Sequence, residues 1–300
     1  MYLKTLKNQT GSRMGVPRAR RLATLIAAGG LLCVLAGCSA ADDATSAAAG
    51  PSPAASTGAL ASSALKLVVI GDSIPYNSPQ DCPGCTGFVE RYAQALKEAT
   101  GRAVAVTNLS EHTGLTLPRL MSQLASLEAP LSQADAIIVA IAHNSIVLNE
   151  DAPCGTPFDE ATSTLKDWRR VTQECATESA RGYQDQFDEL YSRIASWREG
   201  HPTLLITLNK YNDWIGWPDA NLTADQERRT TMVHDTWNEM ICAAAERHGF
   251  ACADVSAAFN GPKGDKPAGD LLAADYTHPS DRGNALITTV LANLGFEPLG

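Results

Sequence analysis

The chain has 300 residues, with 24 Lys and Arg against 33 Asp and Glu and a formal net charge of −9. The first 37 residues hold six of the basic groups and none of the acidic ones, so the remainder sets 18 basic against 33 acidic residues. An acidic surface without a Lys/Arg cluster argues against nucleic acid as a partner and against charge-driven adhesion to anionic lipid headgroups.

Arg18, Arg20 and Arg21 precede an apolar run over 22–34 that ends in Leu35-Ala36-Gly37-Cys38. The run is shorter than the roughly 20 residues a membrane span needs. A basic flank, an apolar core and small residues before a cysteine resemble a bacterial lipobox. That resemblance implies a lipoprotein signal peptide over 1–37, a lipid on Cys38, and attachment to the extracytoplasmic face of the cell membrane. Residues 38–64 are nearly all Ala, Ser, Thr, Gly and Pro, with no apolar periodicity, and read as a flexible tether. The remaining segment, 65–300, is long enough for one α/β domain with a full core.

Within 65–300, strand-like and helix-like segments alternate. A near-continuous apolar strand over 65–70 is followed by a helix over 87–100, spaced by Phe88, Tyr92 and Leu96. A strand at 103–108, a helix at 117–127 and a strand at 134–141 come next. A long helix over 179–199, a strand at 203–208, a helix at 224–248, a strand at 250–255 and a last helix over 280–294 complete the series. This alternation predicts a three-layer α/β/α sandwich around a five-stranded parallel sheet. Sites in such sheets lie beyond the carboxyl ends of the strands. Ser73, Gly114, Asn144, the Trp214/Trp217 segment and the Asp275/His278 pair all fall there, each in a loop after a strand.

Six cysteines follow the signal, an even number in an exported chain, which reads as a disulfide framework. Sequence proximity favours Cys82–Cys85, Cys154–Cys175 and Cys242–Cys252. The Cys82-Pro83-Gly84-Cys85 segment sits on a loop rather than directly after a strand, so a structural clip is favoured over a redox motif. One close pair alone is a poor zinc framework, and neither metal nor organic cofactor is expected.

The chemistry rests on Gly71-Asp72-Ser73 and Asp275-Tyr276-Thr277-His278. A serine hydroxyl needs an imidazole to take its proton, and the imidazole needs an acceptor on its other nitrogen to fix its tautomer. The three-residue spacing of Asp275 and His278 places carboxylate and imidazole on one side of a turn. Asp72 reads as a loop stabiliser, because adjacent side chains rarely face one another. No Gly-x-Ser-x-Gly elbow, phosphate loop or dinucleotide fingerprint is present.

Four ordered blocks resemble the SGNH hydrolases, the GDSL esterases and lipases. They are Gly71-Asp72-Ser73, Asn108-Leu109-Ser110-Glu111-His112-Thr113-Gly114, Ala142-His143-Asn144-Ser145, and Asp275-Tyr276-Thr277-His278-Pro279 with Gly283 beyond it. The resemblance implies the flavodoxin-like sheet of that family. It also implies Ser73 as nucleophile, His278 as base and then acid, and Asp275 as the orienting carboxylate. The backbone N–H groups of Ser73 and Gly114, with the Asn144 amide, would form the oxyanion hole. Ala142 and Ser145 depart from the family's usual glycine and aspartate.

For substrate contacts, the polar stretch 145–178, clipped by Cys154–Cys175, lies at the active edge. His143, Trp214 and Trp217, with Trp168 and Tyr211, are the candidate wall. The absence of a long apolar lid segment favours a small-molecule or glycan ester with a short or medium acyl chain. The alternatives are an envelope O-acyltransferase and a noncatalytic envelope-binding lipoprotein.

Overall fold

A computed structural model describes residues 63–112, 114–145, 154–156, 158–159 and 164–300. The expected signal peptide, Cys38 and the tether up to residue 62 lie outside the described residues. The sheet strands are β1 Leu65–Gly71, β2 Val104–Asn108, β3 Ala136–Ala140, β4 Leu204–Leu208 and β5 Ala251–Ala253. The helices around them are α1 Phe88–Thr100, α2 Leu117–Gln123, α3 Gln173–Trp197, α4 Ala224–Arg247, α5 Val255–Asn260 and α6 Asp281–Asn293. The five strands pair in the order β2-β1-β3-β4-β5, every pairing parallel.

The layering follows from the two-residue period of a strand. On β1, Leu65, Leu67 and Val69 face a core shared with Phe88, Tyr92 and Leu96 of α1 and Ile287 and Leu291 of α6. Val68 and Ile70 face the opposite core, with Phe187, Leu190 and Ile194 of α3 and Val233, Trp237 and Ile241 of α4. On β3 the alternation repeats, Ile138 to the first core and Ile137 and Val139 to the second. A strand buried on both faces reads as a continuous apolar run, and two cores on opposite sides of one sheet make the three layers.

Three boundaries differ from the sequence expectation. α3 begins at Gln173, capped by Thr172, whose hydroxyl accepts the N–H of Cys175 at 3.3 Å. The polar first turns of that helix have no apolar stripe by which to recognise them. The helix expected over 117–127 stops at Gln123 and continues as a tighter turn, Leu124–Leu127. β5 ends early because Asp254 caps α5 through the N–H of Ala257 at 2.9 Å. A small antiparallel pairing, Phe158–Asp159 with Thr164–Leu165, lies in the stretch expected to be loop. The disulfides are the three expected pairs, Cys82–Cys85, Cys154–Cys175 and Cys242–Cys252. Among the described residues no helix is long and apolar enough to cross a membrane.

The chain leaves β1 for β2 on one side of the sheet and then crosses to β3 on the other. The crevice between the carboxyl ends of β1 and β3 is therefore the topological switch point, where open α/β sheets bind ligands. Gly71 and Ala140 pair at that edge. A Cβ on Gly71 would lie 2.3 Å from the Ala140 carbonyl oxygen and 2.6 Å from Pro75 Cγ. That carbonyl cannot withdraw freely, since it accepts the N–H of Asp72 at 3.0 Å. Gly71→Ala is expected to cost about 1–3 kcal/mol, read as a fall of several degrees in Tm by thermal melting.

Candidate active site

Ser73 opens a single helical turn, Ser73–Tyr76, directly after β1. Asp72 caps that turn, its Oδ1 accepting the N–H of Ile74 at 3.0 Å. The other oxygen, Oδ2, accepts the N–H of His143 at 3.0 Å, in the loop after β3. One buried carboxylate thus sets the serine turn against the third-block loop. Asn77 ends the turn in the left-handed region, φ 52°, with its N–H on the Ser73 carbonyl. The loop after β2 is drawn to the same turn: Asn108 Nδ2 donates to the Pro75 carbonyl at 2.7 Å, and Glu111 N–H donates to the Gly71 carbonyl at 3.0 Å.

The loop between α5 and α6 brings the other two groups. Asp275 Oδ1 accepts the N–H groups of Thr277 and His278, each at 3.0 Å, a local turn that leaves Tyr276 at φ 54°. The second oxygen, Oδ2, meets His278 Nδ1 at 2.5 Å. His278 Nε2 lies 2.9 Å from Ser73 Oγ. Just beyond, Ser280 caps α6 through the N–H of Gly283 at 3.1 Å. Gly283 is required there, since a Cβ would lie 2.1 Å from the Leu271 carbonyl oxygen.

Electrostatics suit a base at His278. Burial works to lower its pKa, but the hydrogen bond and charge of Asp275, with the charges of Asp81 and Asp72, outweigh it, and the pKa is raised above the ordinary histidine value. Asp275 is shifted the other way: burial favours its neutral form, and the His278 bond overcomes this to hold it below the usual carboxylate range. Asp72, wholly buried, is pushed up to about 6 by desolvation against its two backbone donors.

The expected oxyanion donors stand as follows. The Ser73 N–H has no hydrogen-bond partner among the described residues. Asn144 Nδ2 donates one N–H to the Leu115 carbonyl at 3.1 Å, leaving its second N–H. Gly114, at φ 64°, directs its N–H back to the His112 carbonyl at 3.3 Å, so in this conformation that donor is engaged. Ser145, which stands where the family's aspartate is usual, takes over a tethering role. Its hydroxyl donates to the Ile141 carbonyl at 3.2 Å and accepts the N–H of Leu117 at 3.0 Å.

The expected wall residues are placed differently. His143 is 5% exposed, its ring tilted against Tyr211 with centroids 4.4 Å apart, and burial with the charge of Lys210 holds its pKa well below the ordinary value. Trp214 and Trp217 are each 7% exposed and meet edge to face, and Trp214 meets Trp168 in the same way. Trp168 and Trp214 belong to the core on that side of the sheet, and with so little of any of the three rings exposed they present no open stacking surface. Sequence reasoning passed over two polar neighbours of the site. Asp81 Oδ2 meets His112 Nε2 at 2.9 Å and His278 Nε2 at 3.4 Å. Asp81, Asp275 and His278 also bring donor atoms within 4.8 Å of one another. His278 stands between the two carboxylates, with Nδ1 bonded to Asp275 and Nε2 bonded to Ser73 and 3.4 Å from Asp81, which His112 holds in place.

The sequence pattern of the GDSL-like lipase/acylhydrolase family matches residues 69–286, from within β1 into α6. The chain belongs to this family. Solved structures share the fold. A lipase, Lip_vut3, from goat rumen metagenome is 18% identical with a TM-score of 0.58, the match covering 79% of this chain and 100% of that one. Phospholipase A1 from Streptomyces albidoflavus is 20% identical with a TM-score of 0.53, covering 77% and 99%. An acetylxylan esterase from Geobacillus stearothermophilus is 19% identical with a TM-score of 0.50, covering 78% and 95%. Comparison with curated proteins returns no match. This GDSL-family chain thus carries the family's ordered blocks on the strand ends of a sheet of the same kind.

The carboxylate of Asp72 is the tie between two of those blocks. Asp72→Ala leaves the N–H groups of Ile74 and His143 without their acceptor, at roughly 1–3 kcal/mol each, measurable by urea denaturation. In the wild type the folded-state pKa of about 6 lies above the ordinary 3.8. Folding therefore takes up a proton between those values, and this group's contribution to stability falls as pH rises through that window. Asp72→Asn is expected to flatten that slope while keeping one of the two amides satisfied.

Proposed function

We propose that the chain is an extracytoplasmic serine esterase acting on short- to medium-chain carboxylic esters through an acyl-serine. The observation that carries this reading is the continuous line Ser73 Oγ, His278 Nε2, His278 Nδ1, Asp275 Oδ2, with separations of 2.9 and 2.5 Å. His278 takes the Ser73 proton as Oγ attacks the ester carbonyl, and Asp275 holds the ring in the tautomer that leaves Nε2 free to accept. The negative charge of the tetrahedral intermediate is received by the Ser73 N–H and the second N–H of Asn144. Gly114 N–H joins them on leaving the His112 carbonyl. Such donors stabilise charge where it develops, and the loss of one typically costs roughly 100- to 1,000-fold in rate. His278 then gives its proton to the departing alcohol, and water repeats the cycle on the acyl-enzyme.

The preference for shorter acyl chains is supported by the scarcity of apolar surface near Ser73. The exposed large apolar side chains among the described residues are Tyr76, Val106, Tyr276 and Leu294, and only the two tyrosines lie in the loops that carry Ser73 and His278. The extracytoplasmic placement, with a lipid anchor at Cys38, is supported by the basic–apolar–cysteine order of the first 38 residues. It is supported as well by three disulfides, which persist in oxidising compartments.

The test is hydrolysis of p-nitrophenyl esters from acetate to octanoate. The wild type is expected to be active with rates falling toward octanoate, and Ser73→Ala to lose on the order of 10⁴-fold or more. Equal rates in the two proteins would remove Ser73 as nucleophile. The pH profile is a second check. His278 must be neutral to accept the proton, and its pKa is raised. The acid limb of kcat/KM is therefore expected to have its midpoint above about 6.5, the ordinary histidine value.

A further inference from the structure

We infer that Asp81, held by His112 and flanked by Tyr76, is the alcohol-side specificity residue of this site, selecting esters of neutral polyhydroxy alcohols such as glycerol or sugars over esters whose alcohol carries a phosphate. The inference rests on the esterase reading above and adds to it the class of the alcohol.

The placement carries the argument. His278 Nε2 is the atom that must hand a proton to the leaving oxygen, so groups packed around it, other than Ser73, border the path of the alcohol. Asp81 Oδ2 is one of them, 3.4 Å away. It is fixed rather than adrift. Oδ2 is bonded to His112 Nε2 at 2.9 Å, the Asp81 N–H donates to the Ser78 carbonyl at 3.0 Å, and the Cys82–Cys85 disulfide closes the next turn of chain. Three segments converge here: the stretch after β1 brings Tyr76 and Asp81, the loop after β2 brings His112, and the loop before α6 brings His278.

The chemistry then selects the alcohol. The Asp81 side chain is 17% exposed, and Oδ1 has no hydrogen-bond partner among the described residues. A half-withdrawn carboxylate oxygen that loses its water when substrate enters needs a replacement donor. A hydroxyl next to the ester oxygen of a polyol supplies one, a simple alkyl alcohol supplies none, and a phosphate brings a like charge that is repelled. Tyr76 stacks on His112, centroids 5.4 Å apart and 25° between planes, and is 47% exposed. Its open face offers an apolar platform for the C–H side of a polyol.

The test compares kcat/KM, by pH-stat on the full chain, for three esters sharing one acyl group: methyl butyrate, 1-butyrylglycerol and 1-butyrylglycerol-3-phosphate. The ratio between substrates is the readout. All three esters release ordinary alcohols, so a change at the His278 imidazole acts on them nearly alike, and any loss of folded protein cancels. Asp81→Ala is expected to lower the ratio of butyrylglycerol to methyl butyrate by about tenfold and to raise that of the phosphate ester. Asp81→Asn, which keeps an acceptor oxygen without the charge, is expected to retain part of the glycerol preference while gaining the phosphate ester. Unchanged ratios in Asp81→Ala, with methyl butyrate still hydrolysed, would overturn the inference and leave the esterase reading standing. A wild type inactive on all three esters and on p-nitrophenyl butyrate, with Ser73 unlabelled by a fluorophosphonate, would overturn both.

Discussion

Ser73 and His278 are separated by 205 positions in the chain, yet Ser73 Oγ and His278 Nε2 lie 2.9 Å apart. That spacing depends on one buried carboxylate. Asp72 accepts from Ile74 on its own turn and from His143 on the neighbouring loop. The ring of His143 packs on Tyr211, and the Tyr211 hydroxyl donates to the Thr277 carbonyl at 2.6 Å, one residue before His278. The serine turn, the loop after β3, the loop after β4 and the histidine loop are thus joined in a single run of contacts. Each link is a directional bond or a packed ring pair, so the run transmits position with little slack. Ionising Asp72 in such a place costs free energy, which is why its pKa rises to about 6. Its two backbone donors offset only part of that cost.

Behind Thr277 a second buried network supports the same loop. Lys210 Nζ, 1% exposed, contacts Asp213 Oδ1 at 3.1 Å and His234 Nε2 at 2.9 Å. Burial and the Lys210 charge lower the pKa of His234 to about 3, so its ring is neutral and Nε2 is the acceptor. Nδ1 then carries the proton and donates to the Thr230 carbonyl at 2.8 Å. Asp213 turns its other oxygen to the Thr277 hydroxyl at 3.4 Å. A buried ion pair is weak evidence for stability, because desolvation offsets much of its attraction. Its effect here is geometric: it fixes the direction in which Thr277, and therefore His278, faces the serine.

Much of this was legible in the sequence. The strands of a doubly covered parallel sheet read as apolar runs, and the blocks at their ends are contiguous in the chain. Gly71-Asp72-Ser73 and Asp275 to His278 each build their local turn within a few residues, so their geometry is written locally. Longer-range placement was not legible. The pairing of His112 with Asp81 spans 31 positions and leaves no periodic trace. Trp214 and Trp217 are as able to meet a ligand as each other, and only the packing of the loop shows that they meet each other, edge to face. The first turns of α3 and the short pairing at Phe158 lie in polar sequence, where hydrophobic periodicity has nothing to report. In the third block Ser145 stands where the family's aspartate is usual, and nothing local in the sequence shows what it holds. Its hydroxyl proves able to hold Ile141 and Leu117 by two ordinary hydrogen bonds.

Three carboxylates, those of Asp275, Asp81 and Asp72, act on one imidazole, and all three favour its protonated form. In the proposed esterase reaction this would make His278 a stronger base toward Ser73 and a weaker acid toward the leaving group. The two effects are not equally felt. Removing the serine proton is difficult, so added basicity lowers that barrier directly. An alkoxide leaving group is so much more basic than any imidazole that a modestly weaker imidazolium still protonates it with driving force to spare. For esters of ordinary alcohols, then, the gain in attack is offset only slightly by the loss in proton delivery. For esters with acidic leaving groups, which depart without a proton, only the gain in basicity counts. Asp275 fixes the tautomer and Asp72 fixes the serine turn, so the position of Asp81 is the one of the three that the orientation of the triad does not itself require.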